Sequence, residues 1–187
     1  FRYWAPFSYY VIALLEFLSG GDIVIAYRYF AAFSIIVGGI PWILWGREAK
    51  RPVFAAAVAL LWFFLPENIR VYFCEGNTPR MMTAVVIPYV LYFMWRYLRR
   101  DKRFSLIGVM LSLSCMVLSH VMITAMLGIA VFVFLVFDCL ANKYVKKAVK
   151  TLAAMGIGLM LAGIWLIPAL SGGIMEMDSS ANVEVME

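Results

Sequence analysis

The chain has 187 residues, of which 65% are hydrophobic and 14% charged, and its mean hydropathy is +0.90. Soluble domains are about 45–50% apolar and about 25% charged, so a water-soluble fold could not bury this much apolar surface. The net charge of +5 does not indicate a nucleic-acid partner, because the basic residues gather in short segments between apolar runs. The composition therefore predicts an all-α membrane domain with no nucleic-acid partner.

Apolar runs near 20 residues, the length that crosses a bilayer as a helix, divide the chain. The first run, 6–18, is too short and ends at Ser19-Gly20-Gly21-Asp22, which predicts a helix stop and a new N-cap. The predicted spans that follow are 23–45, 52–65, 81–98, two passes within 104–140, and 151–170. The sequence thus predicts a polytopic transmembrane helical bundle of about six spans plus a short interfacial helix. We expect a single membrane domain over 1–187 that is an excerpt of a longer chain.

Two details of these runs predict packing. A single helix over 104–140 would be about 55 Å long, against a hydrocarbon core of about 30 Å. The chain must therefore turn near Ser119-His120, the polar break in this run. In the last span Ala154, Gly158 and Ala162 recur every four residues, a small-residue ridge that favours close helix packing.

Basic residues define one side of the predicted bundle. Twelve of the 16 basic residues fall in or beside three segments, 47–51, 96–103 and 143–150. Alternating spans place these segments on one side, which the positive-inside rule assigns to the cytoplasm. The prediction is an integral plasma (inner) membrane protein of a bacterium, with residues 66–80 and the C-terminal tail outside.

The outward stretch PENIRVYFCEGNTPR, residues 66–80, is compact and of mixed charge between apolar runs. Arginine forks suit phosphate, which makes Arg28, Arg70 and Arg80 candidate substrate-binding residues, with Asn77 and His120 beside them. Two alternatives stay open, because Arg28 could snorkel to the membrane interface and His120 could close a helix turn. A single histidine cannot form a multi-histidine metal site, and no metal ligand set is predicted.

Two carboxylates in the same stretch are the candidate catalytic residues. Glu67 and Glu75 could act as a general base for a hydroxyl or hold a divalent cation as a cofactor. The competing interpretation is structural: Glu67 pairs with Arg70, and Glu75 pairs with Arg80.

Four stretches carry a family resemblance: FRYWAPFSYY (1–10), GGDIVIAYRYFAAF (20–33), LPENIRVYFCEGNTPR (65–80) and LSHVM (118–122). Together they resemble a group of multispanning bacterial membrane proteins called the 6-pyruvoyl-tetrahydropterin synthase-related membrane domain. Pterin chemistry is not implied, because the soluble synthase uses a histidine zinc site and this chain has one histidine.

More distantly, the layout resembles the GT-C superfamily of lipid-sugar-dependent glycosyltransferases. In that superfamily a long outer loop ends in a P-P-L-x-Y type segment, two spans follow, and then comes an outward polar stretch with arginines. Here APFSYY (5–10) would match the segment and 66–80 the polar stretch. The resemblance implies a polyprenyl-phosphate-linked sugar donor and a main catalytic carboxylate upstream of this chain.

Three functions remain open at this point. The first is an integral membrane glycosyltransferase that uses a polyprenyl-phosphate-linked sugar in cell-envelope glycan or glycolipid assembly. The second is a non-catalytic transporter or flippase for a lipid-linked glycan, and the third is a membrane assembly subunit whose outer loop contacts a partner. The expected partners are membrane lipid and the polyprenyl-phosphate sugar donor.

Overall fold

The computed structural model describes residues 5–171, and every regular element within them is helical. The elements are α1 (Phe7–Leu18), α2 (Ile23–Ala49), α3 (Pro52–Phe63), α4 (Pro66–Ile69), a π-helical turn (Arg70–Glu75), α5 (Thr78–Arg100), α6 (Ser105–Val117), α7 (Val121–Asn142), α8 (Val145–Leu161) and α9 (Gly163–Ser171). The predicted all-α polytopic bundle is confirmed. The predicted outward C-terminal tail lies outside the described residues.

The number of spans differs from the prediction of about six. In the described part of the chain, α2, α5 and α7 are long and apolar enough to cross a membrane. Two bent pairs raise the number to five if each pair counts as one span: α3 with the segment Pro66–Glu75, and α8 with α9. Helix α6 has 13 residues, about 20 Å of helix, which is less than the thickness of the hydrocarbon core.

Two breaks decide how the second half of the chain runs. The run 104–140 forms two helices, since α6 ends at Val117 and α7 begins at Val121, which confirms the turn at Ser119-His120. The run 151–170, predicted as one span, is instead bent by 64° between α8 and α9. The break lies next to Gly163, and glycine has a low helix propensity.

Helix α5 is the centre of the bundle. In the most apolar 18-residue stretch of each helix, 67% of the residues of α5 are buried inside the protein, against 22% in α2 and 17% in α7. Its buried face carries Met81, Val85 and Val90, which pack with Phe30 of α2 and Met116 of α6. The lipid-facing helices leave large apolar side chains exposed, as expected where the solvent is hydrocarbon.

The predicted small-residue ridge of α8 faces α6. Ala154 is 4% exposed and Ala162 1%, and Gly158 between them is buried. A β-carbon added at Gly158 would lie 2.6 Å from the backbone oxygen of Met110. This confirms the predicted close packing, because only glycine leaves room for the two backbones at that point.

The three basic segments meet at one end of the bundle, called here the basic end. There Arg96 lies 2.9 Å from Glu48, and Lys147 lies 3.1 Å from Asp101. Arg99 donates to Asp138 at 2.5 Å, which ties α5 to α7. Residues 66–80 lie at the opposite end.

Thiol labelling of cells tests which end faces outward. Cys74 is exposed at the end opposite the basic segments, so it serves as a native probe once Cys115 and Cys139 are replaced by alanine. We expect an impermeant maleimide to label Cys74 in intact cells. Lys146→Cys, at an exposed position of the basic end in a cysteine-free background, should react only after permeabilisation. Labelling at position 146 in intact cells would contradict the predicted orientation.

Candidate functional site

The stretch 66–80 is helical except at Gly76 and Asn77, which separate the π-helical turn from α5. Pro66 occupies the first turn of α4, where an N–H group would have no helical partner in any case. The negative charge of Glu67 in the same turn interacts favourably with the positive end of the helix dipole. The π-helical turn continues α4 and ends at Gly76, whose φ of +60° is the left-handed conformation that glycine adopts without strain. The segment Pro66–Glu75 is bent by 52° from α3.

The π-helical turn decides which side chains meet. In an α-helix, residues five apart point about 140° away from each other, because there are 3.6 residues per turn. A π-helix closes each turn by an i to i+5 hydrogen bond, so residues five apart come close to the same face. Arg70 Nη1 and Glu75 Oε1 accordingly lie 2.8 Å apart. An unbroken α-helix would have separated them.

Four side chains form a closed ring of alternating charge, called here the charge ring: Glu67, Arg70, Glu75 and Arg80. Arg70 lies 2.9 Å from Glu67 and 2.8 Å from Glu75. Arg80, from the first turn of α5, lies 2.9 Å from Glu75 and also contacts Glu67. The pairs Glu67–Arg70 and Glu75–Arg80 that the sequence offered as an alternative are present. Two cross pairs, Arg70–Glu75 and Arg80–Glu67, join them. The ring is electrically neutral.

The ring has an exposed half and a sheltered half. The side chains of Arg70 and Glu67 are 53% and 55% exposed, whereas those of Arg80 and Glu75 are 25% and 26% exposed. Hydrogen bonding and charge from Arg70, together with Arg80, lower the pKa of Glu67 below its ordinary value. A carboxylate with a lowered pKa is a weak general base near neutral pH. Of the two predicted catalytic carboxylates, Glu75 is the more sheltered from solvent.

The other predicted binding residues have different placements. Asn77 is the N-cap of α5 and accepts a hydrogen bond from the Arg80 backbone N–H at 3.2 Å, so it orients the helix that carries Arg80. Arg28 is exposed on the second turn of α2 and is not part of the ring. That placement is compatible with its alternative role at the membrane interface.

His120 caps the N-terminus of α7. Its Nδ1 accepts from the Ile123 backbone N–H over a long 3.5 Å, which places the proton of a neutral ring on Nε2. Burial, followed by the positive charge of Arg80, lowers the pKa of His120 below its usual 6.5. The lowered pKa favours the neutral form of the imidazole. It closes the turn, as one sequence interpretation held, and it also lies within electrostatic range of Arg80.

The lowered pKa of His120 predicts a pH-dependent stability. The unfolded chain takes up this proton near pH 6.5, while the folded protein does so only at lower pH. Stability should therefore be highest above pH 6.5 and fall as the pH drops toward the folded-state pKa. In His120→Asn, which retains a capping oxygen but does not titrate, melting temperatures between pH 7.5 and 5 should lose this part of the decline. An unchanged pH profile would contradict the assignment.

No metal site emerges from the described residues. Within 5–171, no group of three or more His, Cys, Asp or Glu side chains is placed to hold a metal ion. The carboxylates of Glu67 and Glu75 are engaged by guanidinium groups, so a divalent cation would have to displace an arginine from both. The arrangement favours ion pairing over metal binding.

Sequence reasoning missed Tyr27, which supports the site from α2. Its hydroxyl donates to the Tyr72 backbone oxygen at 3.1 Å, and it lies 3.4 Å from the Met81 sulfur. A β-carbon at Gly76 would lie 3.6 Å from the same hydroxyl. The only signal in the sequence was its place one turn after the predicted N-cap Asp22, and its partner is 45 residues away.

Comparisons with known proteins give one match. The family model described as "6-pyruvoyl-tetrahydropterin synthase related domain; membrane protein" matches residues 1–187. No curated protein and no solved structure matches the chain.

Proposed function

Since the chain belongs to the 6-pyruvoyl-tetrahydropterin synthase related membrane domains, we propose that the charge ring is the outer-face site of a membrane glycosyltransferase. In this proposal the donor is a polyprenyl-phosphate-linked sugar, and the product enters a cell-envelope glycan or glycolipid. The lipid carries the activated sugar, so no nucleotide site is required. The protein lies in the plasma membrane with the ring outside and the basic end in the cytoplasm.

The observation that carries the proposal is the convergence of two arginine forks at the end opposite the basic segments. Arg70 and Arg80 each contact both carboxylates of the ring, so their guanidinium groups are already held close together. A phosphate accepts the same bidentate hydrogen bonds as a carboxylate. Glu67 is the more exposed acid, so the donor phosphate replaces Glu67 between the two arginines while Glu75 stays in place.

The transfer step then follows from the remaining groups. The acceptor hydroxyl oxygen attacks the anomeric carbon of the sugar, and the bond from that carbon to the phosphate oxygen breaks. The bonding electron pair leaves with polyprenyl phosphate, whose charge Arg70 and Arg80 stabilise. The hydroxyl proton passes to Glu75 or to a carboxylate upstream of this chain.

A pair of ligands that differ only in the phosphate tests donor recognition. The full-length protein in nanodiscs should bind polyprenyl monophosphate about ten- to a hundredfold more tightly than the corresponding polyprenol. Equal affinity for the two lipids would overturn the proposed site. The polyprenol serves as the matched control, because both lipids insert the same hydrocarbon chain.

Turnover tests the role of Glu75. With a synthetic polyprenyl-phosphate-linked hexose as donor, Glu75→Gln should release polyprenyl phosphate more slowly than the parent while its donor affinity stays nearly unchanged. Parent-like turnover in Glu75→Gln would remove Glu75 from the chemistry. The proton acceptor would then have to lie elsewhere in the full-length protein.

The closure of the ring favours a second candidate function, a membrane assembly subunit. Every charge in the ring has a partner within it, which is also how a structural clamp between α4 and α5 would look. A clamp predicts that Glu75→Gln lowers the melting temperature and leaves lipid binding unchanged. The two experiments above therefore separate the candidates.

A further inference from the structure

The π-helical turn between α4 and α5 has an α-helical alternative. π-helices are rare, occur mostly as single turns beside or within α-helices, and are frequent at functional sites. Where the turn begins, Ile69 has φ −57° and ψ −46° and Arg70 has φ −58° and ψ −47°, which are ordinary α-helical values. The turn ends at Gly76 in the left-handed conformation. Nothing in the backbone before Arg70 therefore requires the π register, and side-chain contacts must select it.

Packing holds the first half of the turn, and charge holds the second half. Tyr72 is 6% exposed, and its backbone oxygen accepts a hydrogen bond from the Tyr27 hydroxyl. Phe73 and Cys74 are exposed. In the part of the chain that the structure describes, the ion pairs of Glu75 are those with the two arginines of the charge ring. The register of the second half therefore depends on these pairs.

The two ion pairs within the segment 66–75 differ in the register that they need. Glu67 and Arg70 are three residues apart, a spacing that an α-helix also brings together. Arg70 and Glu75 are five residues apart, and an α-helix would separate their Cα atoms by about 8.7 Å and point the side chains about 140° apart. The 2.8 Å contact between Arg70 and Glu75 therefore stabilises the π register against the α register.

We propose that the turn is a switch between these two registers and that the charge on Glu75 sets its position. While Glu75 is ionised, its pair with Arg70 keeps the turn π-helical and the charge ring closed. When Glu75 is neutralised by a proton, the turn relaxes to α-helix and Glu75 swings away from Arg70. Gly76 absorbs the change before α5 begins, because glycine adopts φ values of either sign.

The trigger rests on the proposed function, in which the proton of the acceptor hydroxyl passes to Glu75. The other ring members keep their charges in that step, since guanidinium groups stay protonated and Arg70 lowers the pKa of Glu67. The remaining titratable groups around the turn are Cys74 on the same segment, Tyr27 on α2 and His120 on α7. When Glu75 loses the proton again, its carboxylate returns to the arginines, competes with the bound phosphate and favours product release.

Disulfide formation between residues five apart measures the register. Cys74 is exposed, and Ile69→Cys places a second thiol five residues before it, at a position that is 37% exposed. Cys115 and Cys139 are replaced by alanine. A disulfide joins Cα atoms up to about 7 Å apart, less than the α-helical separation of about 8.7 Å at this spacing. The full-length protein in nanodiscs, with no donor present, should therefore form this disulfide under a mild oxidant.

Glu75→Gln reproduces the uncharged side chain permanently. We expect it to slow formation of this disulfide about ten- to a hundredfold, because loss of a charge-assisted hydrogen bond shifts an equilibrium by about that factor. Glu67→Gln is the matched control, since it removes the same charge from the ring and leaves the Arg70–Glu75 pair. Its rate should equal that of the parent. An unchanged rate in Glu75→Gln, or equal slowing in both variants, would overturn the switch.

A second cysteine pair separates a change of register from a loss of structure. Ile69→Cys and Phe73→Cys, with Cys74 also replaced by alanine, place thiols four residues apart, about 6 Å between Cα atoms in an α-helix. In Glu75→Gln this disulfide should form at least as fast as in the parent. Slowing of both pairs, or acceleration of both, would mean that the segment had lost its helical structure and would contradict the proposal. Because no donor is present, failure to bind polyprenyl phosphate would refute the proposed function and leave the register result standing.

Discussion

Gly158→Ala is expected to destabilise the protein by about 1–3 kcal/mol, the usual cost of overpacking a well-packed core. The added methyl group would lie 2.6 Å from the Met110 backbone oxygen and 3.3 Å from the Leu113 β-carbon. A backbone oxygen cannot rotate aside as a flexible side chain can, so α6 and α8 would have to separate. Loss of that contact affects the whole bundle, because α6 also packs against the central helix α5.

Gly156→Ala is the matched control for this substitution. Gly156 lies on the same helix, two residues away, and no atom lies within 4 Å of a β-carbon placed there. Alanine favours the helix over glycine by about 1 kcal/mol at both positions, so Gly156→Ala should be neutral or stabilising. Melting temperatures in one detergent would show the contrast, and a Gly158→Ala variant as stable as Gly156→Ala would refute the close packing of α6 and α8.

Local signals in the sequence predicted most of the helix boundaries. Asp22 caps α2 through hydrogen bonds from the backbone N–H groups of Val24 and Ile25, as the stop-and-cap pattern predicts. The turn at Ser119-His120 followed from a length argument, because one rod of 37 residues would not fit the bilayer. Signals of this kind depend on a few adjacent residues, which is why they can be read without a structure.

The features that were missed depend on contacts between distant segments. The bend between α8 and α9 does not follow from hydropathy, which runs on smoothly through the break. The Arg70–Glu75 pair of the charge ring requires a π-helical turn, and no pattern of neighbouring residues predicts one. Side chains of α2, α3, α5 and α7 line one apolar cavity, and only the tertiary structure brings these distant segments together.

The charge ring gives the largest functional expectation. Arg80→Ala should weaken binding of polyprenyl monophosphate about ten- to a hundredfold, because a charge-assisted hydrogen bond contributes about 1.5–3 kcal/mol. Arg80→Lys keeps the charge but loses the fork, so its affinity should lie between those of the parent and Arg80→Ala. Arg103→Ala, at the basic end, removes the same charge far from the ring and should leave the affinity unchanged.

Glu67→Gln separates a binding site from a structural clamp, because the two predict opposite results. If the donor phosphate replaces Glu67 between Arg70 and Arg80, removing the competing carboxylate should tighten binding by up to about fivefold. The expected gain is modest because both Glu67 and Arg70 are more than half exposed, where water and salt screen the pair. A clamp predicts instead a lower melting temperature and no gain in affinity. Affinity and melting temperature measured on the same purified protein decide between them, and a Glu67→Gln variant that binds the phosphate no better than the parent would refute the exchange of carboxylate for phosphate.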